Sequence, residues 1–289
     1  MTNVRLPMPR IEIVGKEFRR LGQRWKGWGS QQADGDFKYD FFESTDVNDF
    51  LHSTMKNTFS GDHAWGCNII RFHTELWEML DVTSPDANNV TVNEAAMTQL
   101  MFVLDCAREN NMYVLVTGAN QSQIAPHPDG TLRIPAWYND AFGNTDPKDR
   151  WDIQEFFWTE VVKRIVASKH SSTVIGYELI NEPIISSDAA ASWLGPASTI
   201  GTGYYFSTII ARGQTGATAK ATAVTWMTQL SVAIKAIDSK ALITVGLLPS
   251  AGAGQPFGVA NCELVLDFLE PHLYPQRFND PSNAPAQRQ

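Results

Sequence analysis

The stretch Ile175-Gly176-Tyr177-Glu178-Leu179-Ile180-Asn181-Glu182-Pro183 decides the fold. It is an apolar run of strand length that closes on a polar pair and then on a proline, which cannot donate to a sheet ladder. A strand buried on both faces with a carboxylate at its C-terminal tip is how a (β/α)8 barrel presents a reactive group. Working outward, five further runs read as strands: Arg24–Ser30, Cys67–Phe72, Met112–Thr117, Leu242–Leu248 and Leu266–Tyr274. Helical patterns alternate with them. One spans Val47–Phe59, and a second is capped by Asn93 and places Met97, Leu100, Met101 and Leu104 on one face. A third spaces Ile153, Phe157, Val161 and Ile165 by four, and the last runs from Thr218 to Asp238.

Apolar strands alternating with amphipathic helices predict a parallel α/β sheet covered on both faces, in one domain over 1–289. Polar residues at strand exits favour a TIM-type barrel over an open dinucleotide-binding sheet. The only dinucleotide-like glycines, Gly252-Ala253-Gly254, run into Gln255-Pro256 instead of a helix. The strand count is six, so the expected barrel is incomplete and lacks strands 7 and 8. Residues 275–289 carry no strand pattern and are expected to form loop or disordered tail. The segment Ile11–Arg20 is a candidate plug for one barrel end.

Composition narrows the function. A chain of 289 residues with 43% hydrophobic content can bury a large core. A net charge of −8 argues against a nucleic-acid partner, and no apolar run reaches membrane-spanning length. The first twenty residues have no apolar leader core, so the expected location is cytoplasmic, or secreted with the leader removed. Cys67, Cys106 and Cys262 lie far apart in apolar surroundings and read as buried thiols. No metal-ligand spacing and no G-x-S-x-G motif occurs, so neither a metal nor a cofactor is expected.

Asn181-Glu182-Pro183, followed about ninety residues later by Pro271-His272-Leu273-Tyr274-Pro275, resembles glycoside hydrolase family 5, the cellulase family. Gly203-Tyr204-Tyr205-Phe206, Ala236-Ile237-Asp238 and Leu242-Ile243-Thr244-Val245-Gly246 extend that resemblance, which covers most of the chain from Trp25 to Pro275. The resemblance implies hydrolysis of β-linked glycosides without a cofactor, with Glu182 as general acid/base. It implies Asn181 at the sugar 2-hydroxyl, Arg71 orienting the partner carboxylate, and His272 and Tyr274 contacting sugar and nucleophile. At Glu270 the family leads one to expect a small residue such as Ser.

Retaining hydrolysis needs a second carboxylate roughly 5–5.5 Å from the first. The resemblance puts it on a seventh strand, and a sugar-stacking Trp on an eighth, neither of which these 289 residues contain. Glu75, which shares the parity of Arg71 and His73, and Glu270, which shares that of His272, are the candidates to replace it. Trp28, Trp77, Trp137 and Trp193 are candidate sugar platforms. The competing expectation is a catalytically weak or inactive barrel remnant that binds glycans. An open sheet also leaves edges for a homo-oligomer, in the simplest case a dimer, to cover.

Overall fold

Val114, Leu115 and Val116 are buried on both faces of their strand, and so is every residue from Val174 to Asn181 in the next. Such strands can only sit between two covering layers. The computed structural model describes residues 8–32, 50–74, 79–82, 90–118, 148–188, 209–248, 252 and 254–273. Its centre is a six-stranded sheet in which chain order and spatial order coincide: β4 (Gly29–Gln32), β5 (Ile69–His73), β8 (Tyr113–Thr117), β9 (Val174–Asn181), β12 (Ile243–Leu247) and β13 (Glu270–Pro271). Every neighbouring pair is parallel. Among the described residues β4 and β13 pair on one side only, so the sheet is an open, incomplete TIM-type barrel.

Helices α1 (Phe50–Ala64), α2 (Glu94–Glu109), α3 (Lys148–Ala167) and α4 (Gly216–Ile237) provide the crossovers. Asn93 caps α2 as its sequence predicts, its side chain accepting the Ala96 N–H at 3.1 Å. Met97, Leu100, Phe157, Val161, Trp226, Leu230 and Ile234 point from these helices into one continuous core with Ile70, Val114, Val116, Tyr177 and Val245. No helix among the described residues is long and apolar enough to cross a membrane.

A second, smaller core lies inside the curl of the sheet. The hairpin β1 (Ile11–Val14) and β2 (Glu17–Arg20), extended by β3 (Gln23–Arg24), packs there. Met8 and Ile11 join Tyr113, Leu115 and Ile175, with Phe18, Trp25, Ile69 and Phe268 against them. Phe18 meets Phe268 edge-on at 5.3 Å, and the Tyr113 hydroxyl donates to the Pro9 carbonyl at 2.6 Å. Ile69 and Tyr113 open their strands, so the hairpin plugs the N-terminal end and leaves the C-terminal end for chemistry. Short elements complete the described chain: β6 (Leu80–Val82) with β7 (Val90–Val92), β10 (Ile184–Ile185) with β11 (Ile209–Ala211), and the single-turn α5 (Val259–Cys262).

One sequence expectation is corrected here. The first strand covers Gly29–Gln32 and not Arg24–Ser30, so Trp28 precedes it. The Trp28 carbonyl accepts the Asn68 N–H, just ahead of β5, and the residue is 70% exposed. Trp28 therefore stands at the N-terminal end of the sheet, opposite Glu182, and cannot serve as a platform in the same cleft.

Candidate active site

Successive side chains of a strand alternate between faces, so Glu178 and Asn181 should point oppositely. They do not. Thr244 pairs with Glu178 and Gly246 with Asn181, so β9 advances three residues where β12 advances two. That bulge turns both side chains to the inside of the sheet, where each meets Arg71 of β5.

Arg71 is the node. Its Nε donates to Glu178 Oε2 at 2.6 Å and its Nη2 to Glu178 Oε1 at 2.5 Å, a two-point grip on a fully buried carboxylate. Nη2 also donates to Asn181 Oδ1 at 2.7 Å, and Nη1 to Gln31 Oε1 at 2.6 Å. Thr117 Oγ1 donates to Glu178 Oε2 at 2.6 Å from the intervening strand β8. Burial works against the guanidinium charge; Glu178, with Glu270 and Glu182 adding to it, overcomes that and holds Arg71 protonated more firmly than a free arginine. Because a guanidinium only donates, the atom of Asn181 facing it is the oxygen, which turns the amide nitrogen the other way.

Glu182 follows at the strand tip with φ +48°, a left-handed conformation that costs a non-glycine residue about 1–2 kcal/mol. Its N–H donates to the Gly246 carbonyl at 2.9 Å, which holds that conformation in place. Strain at a strand tip, over-determined by its neighbours, is a mark of a functional position. The Glu182 carboxyl shares a hydrogen bond of 2.8 Å between Oε1 and Nδ1 of His272, whose own N–H donates to Leu247. The imidazole sits so close to β12 that only glycine fits at position 246 without something moving. A Cβ at Gly246 would come within 2.5 Å of Glu178 Oε1 and 2.6 Å of His272 Nε2.

Glu270, two residues before His272, faces the same way. Its Oε1 is 3.2 Å from Arg71 Nε, and its buried Oε2 has no hydrogen-bond partner among the described residues. Burial, then the charge of Glu178, push its carboxyl well above the ordinary range, against a smaller opposing pull from Arg71. Glu178, Glu270 and His272 are the one group among the described residues whose ligand-type atoms converge, within 4.8 Å. Arg71 already engages both oxygens of Glu178, so a cation there would face a guanidinium at contact distance, and the cluster does not suit a metal.

Of the residues expected from sequence, the structure brings Arg71, Asn181, Glu182, Glu270 and His272 together. Glu75, Trp77, Trp137, Trp193 and Tyr274 lie outside the described residues. Glu178, Thr117 and Gln31 were not expected. Glu178 had a signal available, since a carboxylate in the middle of a fully apolar strand must have a charged partner.

A sequence model of the family Cellulase (glycosyl hydrolase family 5) matches residues 32–267. The chain belongs to this family. The family 5 match spans every main-sheet strand except the first and the last short one, and it contains Arg71, Glu178, Asn181 and Glu182. No curated protein matches the chain. Among solved structures it is similar to the endo-1,4-β-mannanase of Rhizomucor miehei, with TM-score 0.64 and 17% identity over 95% of this chain and 74% of that one. The endo-1,4-β-mannanase of Eisenia fetida gives TM-score 0.58 and 16% identity over 92% and 73%. The exo-β-1,4-mannosidase of Opitutaceae bacterium strain TAV5 gives 0.58 and 16% over 88% of this chain, but only 39% of its own length is covered. At these identities the likeness bears on the fold.

Proposed function

We propose that this family 5 chain hydrolyses β-linked glycosides, with Glu182 as the general acid/base. The observation that carries the reading is the Glu182–His272 hydrogen bond of 2.8 Å at the C-terminal end of the sheet, where barrel enzymes hold their reactive groups. Glu182 protonates the leaving oxygen. His272, anchored to β12, fixes which way the carboxyl faces. Asn181, its oxygen held by Arg71, offers its amide N–H to the sugar 2-hydroxyl.

Retention requires an ionised partner that attacks the anomeric carbon and forms a glycosyl-enzyme, which water then releases with Glu182 acting as base. Glu270 keeps its proton to well above the ordinary carboxyl range, which suits a proton holder better than a nucleophile. Glu75, which follows Thr74 at the exit of β5, is the other candidate in the chain.

Purified protein assayed on aryl β-glycosides and on β-1,4-linked gluco- and manno-oligosaccharides tests the reading. Turnover that disappears in Glu182→Gln supports it, and turnover unchanged by that substitution contradicts it. A homodimer belongs to the same proposal, because β4 and β13 each offer an unpaired edge among the described residues. Light scattering at micromolar concentration is expected to give twice the mass of 32.1 kDa. A monomer overturns the dimer alone.

A further inference from the structure

Two groups of polar side chains meet at this site. One is built on Arg71 and contains Gln31, Thr117, Glu178 and Asn181. The other is the His272–Glu182 pair. Glu270 lies between them, with Oε1 at 3.2 Å from Arg71 Nε and a carboxylate oxygen within 4.8 Å of a His272 nitrogen. We propose that Glu270 is a positioning residue, coupling the Arg71 group that orients Asn181 to the imidazole that holds Glu182. The proposal rests on the hydrolase reading for its functional meaning, though not for its test.

The charges explain how the coupling works. Arg71 brings one positive charge, and Glu178 takes it up with two hydrogen bonds. A second ionised carboxylate at 3.2 Å would compete with Glu178 for Nε. Burial and the Glu178 charge hold the Glu270 proton to higher pH than an ordinary carboxyl, and while it is held Arg71 stays aligned with Asn181. The charged and titratable groups facing Glu270 are Arg71 from β5, Glu178 from β9, and His272 from its own segment. When Glu270 loses its proton, one negative charge appears beside both Arg71 and His272. Arg71 is then drawn from Glu178, and the proton shared by His272 and Glu182 is drawn toward the imidazole. A serine, the small residue the family resemblance implies here, can do neither.

The proton that bridges His272 Nδ1 and Glu182 Oε1 reports on this directly, as a downfield resonance in the proton NMR spectrum, assigned by its loss in His272→Gln. It is followed from pH 5 to 9 in the wild-type chain, in Glu270→Gln, which mimics the neutral acid, and in Glu270→Ser. The wild-type resonance is expected to shift with pH as Glu270 ionises. Glu270→Gln should keep the resonance and lose that step, and Glu270→Ser should broaden it. Identical pH responses in the wild type and Glu270→Gln would overturn the proposal. So would a wild-type protein that shows no such resonance at any pH, because the ordered pair is its premise. Should Glu270→Ser fail to fold, the comparison with Glu270→Gln still decides. The spectra need no turnover, so an inactive chain would sink the hydrolase reading and leave this test standing.

Discussion

Glu182 and His272 meet at 2.8 Å although ninety positions separate them in the chain. The meeting depends on β12, which lies between their segments. Gly246 accepts the Glu182 N–H, Leu247 accepts the His272 N–H, and the missing side chain at Gly246 leaves room for the ring.

Gly246→Ala should therefore break the site without touching either residue. The added methyl would sit 2.6 Å from the imidazole and 2.5 Å from Glu178, so something must move. Overpacking of this kind costs about 1–3 kcal/mol. Urea unfolding is expected to show that loss, and hydrolysis, where measured, should fall with it.

Glu178→Gln removes the charge that neutralises a buried Arg71. Breaking one partner of a buried pair costs about 3–5 kcal/mol, because the remaining charge is left unpaired. Chemical denaturation should report a loss of that order. A variant as stable as the parent would mean that solvent reaches Arg71 far more freely than its 8% exposure indicates.

The raised carboxyl of Glu270 gives stability a definite pH dependence. Below about pH 4.5 the group is protonated in both folded and unfolded chains, and its contribution is fully present. As pH rises the unfolded chain ionises first, so that contribution is lost progressively until the folded group also ionises. Glu270→Gln cannot ionise, so its melting temperature should gain on the wild type across that window. Scanning calorimetry between pH 4 and 8 measures the difference.

Burial pushes the Cys106 thiol up to about 12 and that of Cys262 to about 11. All three cysteines are buried, and the thiolate is the reactive form. A thiol reagent at pH 8 should leave Cys106 and Cys262 unmodified in the folded protein and modify all three in guanidinium chloride. Mass spectrometry of the labelled chain distinguishes the sites.

The strand from Ile175 to Pro183 and its successors were legible because buried parallel strands are long apolar runs that few other elements imitate. Asn93 and the helix behind it were legible for a similar reason, since a cap and a 3.6-residue period agree. Glu178 carried the signal of a carboxylate inside an apolar strand, but its sharing a face with Asn181 was not legible, because strict alternation sets the two opposite and only the bulge in β9 reverses that. Bulges are set by how two strands pair, which a single strand's sequence does not state. Trp28 was misplaced by a shift in the weakest strand. Gly29-Ser30-Gln31-Gln32 contains no apolar residue, so periodicity could not locate it, and its Gln31 nonetheless reaches Arg71. Helix α1 runs on to Ala64, past the expected end at Phe59, because Phe59 is the last of its buried residues and periodicity could not follow it further.

Glu182 is assigned to protonate the leaving group. Hydrolysis of a series of aryl β-glycosides of rising leaving-group pKa, by the wild type and by Glu182→Gln, tests it most directly. General acid catalysis contributes about 10²–10⁴-fold. The variant is expected to lose that much on the poorest leaving groups and little on the best, with its fold intact. An equal loss across the series, or none, would contradict the assignment of Glu182 as the acid.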